Sequence, residues 1–99
     1  MKRIKTFITL KDYKKEEKIG YIMDFDTSLF IYKSRSDTYT LTDIATGARI
    51  YDYTTSSYKK AMELCRVHYC EHDLGDAIRY FKGTAGYDKL LKRVQGTCL

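Results

Sequence analysis

The chain predicts an α+β fold: an antiparallel sheet of about five strands over residues 3–53, then two or three helices over residues 57–95 packed on one of its faces. Three observations lead there. Apolar and polar residues alternate through the first half, which is the period of a strand. A Ser/Thr block at residues 54–57 supplies helix-capping hydroxyls, and beyond it the apolar residues recur at three and four. All the strands precede all the helices, so no βαβ crossover is available to build a parallel sheet.

The elements follow in order. Arg3 to Leu10 alternates, with Ile4, Ile8 and Leu10 on one side. KDYKKEEK reads as a solvated charged loop, and Ile19, Tyr21, Met23 and Phe25 mark a second strand that ends at the turn-forming Asp26-Thr27-Ser28. Leu29 to Lys33 forms the third strand. Thr38 to Thr42 and Arg49 to Tyr53 form a hairpin around Ala45-Thr46-Gly47, with glycine at a φ > 0 position. Tyr58, Ala61, Met62, Cys65 and Tyr69 define the first helical face. Asp73 can cap a second helix carrying Leu74, Ala77, Ile78 and Phe81, stopped by Gly83. Tyr87, Leu90, Leu91 and Val94 mark a last helix that ends at Gly96. Whether the first two helices fuse through residues 71–75 stays open, since Gly75 weakens a helix without forbidding it.

Ninety-nine residues without proline or a Gly/Ser-rich linker make a single domain. The basic N-terminus is too short and too broken in its apolar pattern for a leader or a membrane span, so a cytoplasmic protein is expected. Cys65, Cys70 and Cys98 are odd in number and late in the chain, which suits free thiols in a reducing compartment. The net charge of +5 is shared evenly, with ten basic and eight acidic residues in 1–53 and eight and five in 54–99. It permits phosphate contacts without demanding them.

No phosphate-loop, dinucleotide-binding, metalloprotease or nucleophile-elbow motif is present, so the chain reads as a non-enzyme without cofactor. Cys65, His68 and His72 fall at i, i+3 and i+7 on one helical face, a zinc-capable or hydrolytic set that lacks a second ligand pair, so no metal site is assigned. Asp24 and Asp26 share a strand face, but Asp24 alternates against apolar residues as a solvent-facing group does and Asp26 belongs to a turn. The notable feature is ten tyrosines with no tryptophan. If Ile50 packs under the helix, Arg49, Tyr51 and Tyr53 take the opposite face. In the third strand either Phe30 with Tyr32 or Leu29 with Ile31 is the outer pair. An outer face bearing Tyr32, Arg35, Arg49, Tyr51 and Tyr53 is the expected binding surface, since tyrosine and arginine are enriched at interfaces. The alternative is a nucleic-acid regulator that uses this face or Lys59, Lys60 and Arg66.

YTLTDIATGARIYDYTTSSYKKAMEL, residues 39–64, resembles the strand, TG turn, strand, cap and helix pattern of small phage and plasmid accessory proteins. It is also similar to the arm-site DNA-binding domain of tyrosine recombinases, where a three-stranded sheet packs on one helix. As a class such proteins resemble anti-defence inhibitors of the anti-CRISPR type. That resemblance implies a binding protein that inhibits or modulates a larger host protein or ribonucleoprotein complex, with nucleic acid as the alternative partner and no membrane. A free edge strand would also allow a homodimer. Many such inhibitors imitate DNA with an acidic surface, and a chain at +5 departs from that pattern.

Overall fold

Residues 2–96 are described by the structure, a computed structural model. Five antiparallel strands run in chain order across one sheet: β1 (Arg3–Thr9), β2 (Lys15–Ile22), β3 (Leu29–Arg35), β4 (Thr38–Asp43) and β5 (Arg49–Thr54). Three helices follow: α1 (Tyr58–Glu71), α2 (Leu74–Lys82) and α3 (Ala85–Gln95). This is the α+β arrangement that the periodicity predicts.

The charged run is not a loop. β2 begins at Lys15, and its first half pairs with β1 from Thr9↔Lys15 to Lys5↔Ile19. Ion pairs accommodate the charges, with Lys5 of β1 on Glu17 across the strands at 3.1 Å and Lys18 on Glu16 along β2 at 2.8 Å. A short 3-10 turn, Lys11–Tyr13, joins the two strands, and both Asp12 (φ 69°) and Tyr13 (φ 61°) have left-handed backbones.

β2 pairs with β1 along its whole length but with β3 only through Gly20, Tyr21 and Ile22. The ribbon of β1 and early β2 is therefore free to swing across the sheet, and Gly20 is where it leaves. A Cβ at Gly20 would lie 2.2 Å from the Ile31 carbonyl oxygen, so only glycine permits this approach. The swing brings the end of β1 onto the β4–β5 turn, where the Thr9 amide donates to the Gly47 carbonyl at 2.9 Å and the Thr9 hydroxyl to the Thr46 carbonyl at 2.5 Å. Gly47 has the expected positive φ of 71°.

Curling buries both faces of the sheet. The outer face carries Met23, Leu29, Ile31, Tyr39, Leu41 and Tyr53 against Ala61, Met62 and Cys65 of α1 and Leu74 and Ile78 of α2. The inner face encloses Ile8, Phe30 and Tyr32, with Ile4 and Ile44 beside them. The expectation that one pair of β3 faces out is thus corrected: Leu29, Phe30 and Ile31 are all fully buried and Tyr32 is nearly so.

α1 starts where the Ser/Thr block predicts, with the Ser57 hydroxyl accepting from the Lys60 amide. The first two helices are separate. Asp73 occupies the N-cap position as expected, but as a left-handed residue (φ 63°) whose carboxylate accepts no capping hydrogen bond. Gly75 fits there because the Tyr69 ring lies against it, 2.9 Å from where a Cβ would be. Thr84 caps α3 by accepting from the Tyr87 amide.

A polar network ties the helices to the two turns at one end of the sheet. Asp43, fully buried, accepts from the Tyr87 hydroxyl (2.8 Å) and the Thr46 hydroxyl (2.7 Å) on Oδ2, while Oδ1 faces the Lys82 ammonium at 3.4 Å. Lys82 also donates to the Ser28 hydroxyl, which donates to Asp26, and Asp26 accepts from the Tyr69 hydroxyl at 2.8 Å. Burial pushes the Asp26 carboxyl up, but the Ser28 and Tyr69 hydrogen bonds and the Lys82 charge outweigh it and hold the pKa below its ordinary value. Its stabilisation is therefore present above the unfolded carboxyl pKa of about 3.9 and lost as pH falls through the lower folded value. In urea titrations, the difference in midpoint between the native chain and Asp26→Asn is expected to be constant from pH 7 to pH 5 and to shrink below pH 4. A difference that stays constant down to pH 3 would remove Asp26 from this role.

Candidate functional site

The five residues expected to share an outer face are divided by a β-bulge. β5 pairs in register from Thr38↔Thr54 to Leu41↔Tyr51, then slips so that Thr42 faces Arg49. The extra residue is Ile50, which packs partly against the outer core as expected. Beyond the slip the phase of the strand is reversed, so Arg49 shares a face with Asp52, its ion-pair partner at 3.3 Å, and not with Tyr51 and Tyr53. Asp52 in turn accepts from Thr40 on the inner face. Tyr32 lies on that inner face, stacked on Phe30 at 5.7 Å between ring centroids. Arg35 is exposed at the end of β3, next to the irregularity at Ser34.

Tyr53 is an interior residue, 6% exposed under α1. Its hydroxyl shares a 2.9 Å hydrogen bond with His68 Nδ1, and burial pushes the phenol far above its ordinary range, the Cys65 thiol beside it adding to the effect. Three further tyrosines are used in this way, with the ring as apolar filler and the hydroxyl as a tether. Tyr58 accepts from the Lys33 amide and packs edge-on against Tyr21 and Tyr39, while Tyr69 and Tyr87 reach Asp26 and Asp43. Sequence reasoning gave these hydroxyls no partners because each partner lies on a distant segment.

Tyr51 remains outside. It is 47% exposed, with its ring edge-on to His68 at 4.7 Å and beside Tyr53 at 4.9 Å. One turn earlier on α1 stands Leu64, 48% exposed and missed by the sequence reading, at the lip of an apolar depression of about 260 Å³ lined by Thr55, Lys60, Glu63, Leu64 and Val67. This strip runs beside β5, which is last in the sheet order and, among the described residues, has only β4 as a strand neighbour. Its backbone edge is therefore available for pairing.

The other sequence candidates separate. Lys59 and Arg66 rim a shallow depression over Met23 and Met62, where Asp24 and Glu63 offset their charge, and Lys60 lies on the other side of α1. Cys65 is fully buried, and burial raises its thiol pKa to about 11, so it stays protonated at neutral pH. His68 is engaged with Tyr53 and His72 is exposed. Among the described residues no three His, Cys, Asp or Glu side chains converge as a metal-binding group. Cys98 lies outside the described residues. Cys70 is a free, exposed thiol. No helix among the described residues is long and apolar enough to cross a membrane. No protein-family model, curated protein or solved structure matches this chain.

Proposed function

We propose that this protein is a non-catalytic binding module that inhibits or modulates a larger host complex, of the anti-defence kind its hairpin-to-helix segment resembles, through protein contacts. The observation that carries the reading is the apolar strip of Tyr51 and Leu64 lying beside the unpaired edge of β5. An extended segment of a partner adds main-chain hydrogen bonds along such an edge, and its side chains fill the depression beside Leu64. Tyrosine supplies rigid contact area there at low entropic cost. The protonated, buried thiol of Cys65 supports the non-catalytic part.

The test is a plasmid-interference assay in a host with an active nuclease-based defence, comparing the native chain with Tyr51→Ala/Leu64→Glu. Both positions are exposed, so the double variant is expected to keep its urea midpoint. Loss of protection by about 100-fold is the expected result, the scale of removing a central interface anchor of about 2–4 kcal/mol. Full protection by a folded double variant would move the contact elsewhere, and no protection by the native chain would overturn the inhibitor reading.

A further inference from the structure

The excess positive charge of this chain collects where the β1–β2 ribbon ends. Residues 11–15 and 88–93 hold Lys11, Lys14, Lys15, Lys89, Lys92 and Arg93 against only Asp12 and Asp88, which accounts for four of the five net positive charges. The fold joins these two segments: the Arg93 guanidinium lies 4.2 Å from the centroid of the Tyr13 ring, and Leu90 of α3 shares a cleft of about 380 Å³ with Thr9, Leu10, Lys11, Asp12, Tyr13, Ala48 and Arg49. Elsewhere Lys5, Lys18, Arg49, Arg79 and Lys82 are in ion pairs, and the remaining basic residues are spread over the surface among acidic ones. Lys11, Lys14, Lys89 and Lys92 have no ion-pair partner among the described residues.

The turn also holds an aromatic ring at an unfavourable backbone angle. Tyr13 sits at φ 61°, a region suited to glycine and rare for bulky residues, and the residue is 37% exposed. A glycine would relax the turn and lose the ring. Backbone strain of this kind is a pointer to function when a surface feature depends on it. Here the feature is a flat aromatic face beside a guanidinium, in a cleft lined by Lys11 and Arg49, with Lys14 and Lys89 next in sequence to its lining residues Tyr13 and Leu90.

We propose that this ribbon tip is a binding site for single-stranded nucleic acid, with one base stacked against Tyr13 in the cleft and the flanking phosphates held by Lys11, Lys14 and Lys89. Aromatic stacking next to a basic track is how single strands are held without sequence preference. An acidic peptide would use the lysines but would gain little from the ring. The site is distinct from the Tyr51 and Leu64 strip and does not depend on it.

The test is fluorescence anisotropy of the full chain with a labelled single-stranded deoxythymidine 12-mer, a duplex of equal length and a polyglutamate peptide, across a range of salt. Single-strand binding is expected, with log K falling linearly with log salt. Lys11→Gln/Lys89→Gln is expected to reduce that slope by about 1.4, since each phosphate contact to a single strand contributes about 0.7. Tyr13→Gly is expected to weaken binding about 10-fold with the slope unchanged, while its melting temperature stays level or rises. Absence of binding at 50 mM salt on the order used for such measurements would overturn the site. So would native affinity in both variants, tighter binding to the duplex, or equal binding to polyglutamate. Should Tyr13→Gly not fold, the lysine variant, altered only at exposed positions, decides alone.

Discussion

Replacing Asp43 by alanine is expected to cost about 3–5 kcal/mol of folding stability, the range for removing one partner of a buried ion pair. Four donors lose an acceptor at once: the Tyr87 hydroxyl, the Thr46 hydroxyl and amide, and the partly buried Lys82 ammonium, which keeps only its bond to Ser28. Burial raises the Tyr87 pKa to about 12, and its bond to the Asp43 carboxylate adds to the rise, so the phenol remains a donor at neutral pH and is left without an acceptor. Asp43→Asn keeps an oxygen acceptor but removes the charge opposite Lys82, and is expected to fall between alanine and the native chain. Urea unfolding at pH 7, analysed as a shift in midpoint with an unchanged slope, measures both. A loss below about 1 kcal/mol for alanine would mean that water satisfies these donors, and the network would then not be what holds α2 and α3 to the turns.

Phe30→Ala is expected to be comparably severe, at about 3–5 kcal/mol, because Phe30 is fully buried at the centre of the inner face and the curled ribbon above it cannot collapse into the space. The same experiment checks the curl itself. If the inner face were open to water, Phe30→Ala would cost little or even improve solubility. A small effect paired with a large one for Ile31→Ala would mean that only the helix-covered face of the sheet is a core.

Phe30 also shows where sequence reading stops. Element type was legible because its signals are local: alternation in β1 and in the second half of β2, the β-rich run of β3, the Ser57 cap and the i, i+3, i+4 repeat in α1. Which face each residue takes depends on events that leave little local trace. One extra residue at Ile50 reverses the phase of β5, so Tyr53 moves inside and Arg49 separates from Tyr51. One glycine at position 20 lets the ribbon cover the inner face, so both sides of β3 are buried and neither can be the outer one. The charged run of residues 15–18 is a strand because β1 offers it a register, a cause located ten residues away. Tyr51 is exposed, but on the α1 side of the sheet against His68 and not on the face opposite the helix where alternation put it, and Leu64 was missed, since an apolar residue one step off a helical stripe is ordinarily absorbed into the core.

The meander has a consequence for how the chain assembles. Each strand pairs with its neighbour in sequence, so the sheet is able to zip hairpin by hairpin with short loops to close, a topology of low contact order and fast folding. The contact between Thr9 and the β4–β5 turn is different in kind, because it spans 37 residues and requires both of the hairpins it joins to exist first. Its closure entropy falls late, when little else is left to form. The tip of the ribbon is therefore the last part of the sheet to close and the first to open, and opening there exposes Ile8 and Phe30 while the strands against α1 stay paired.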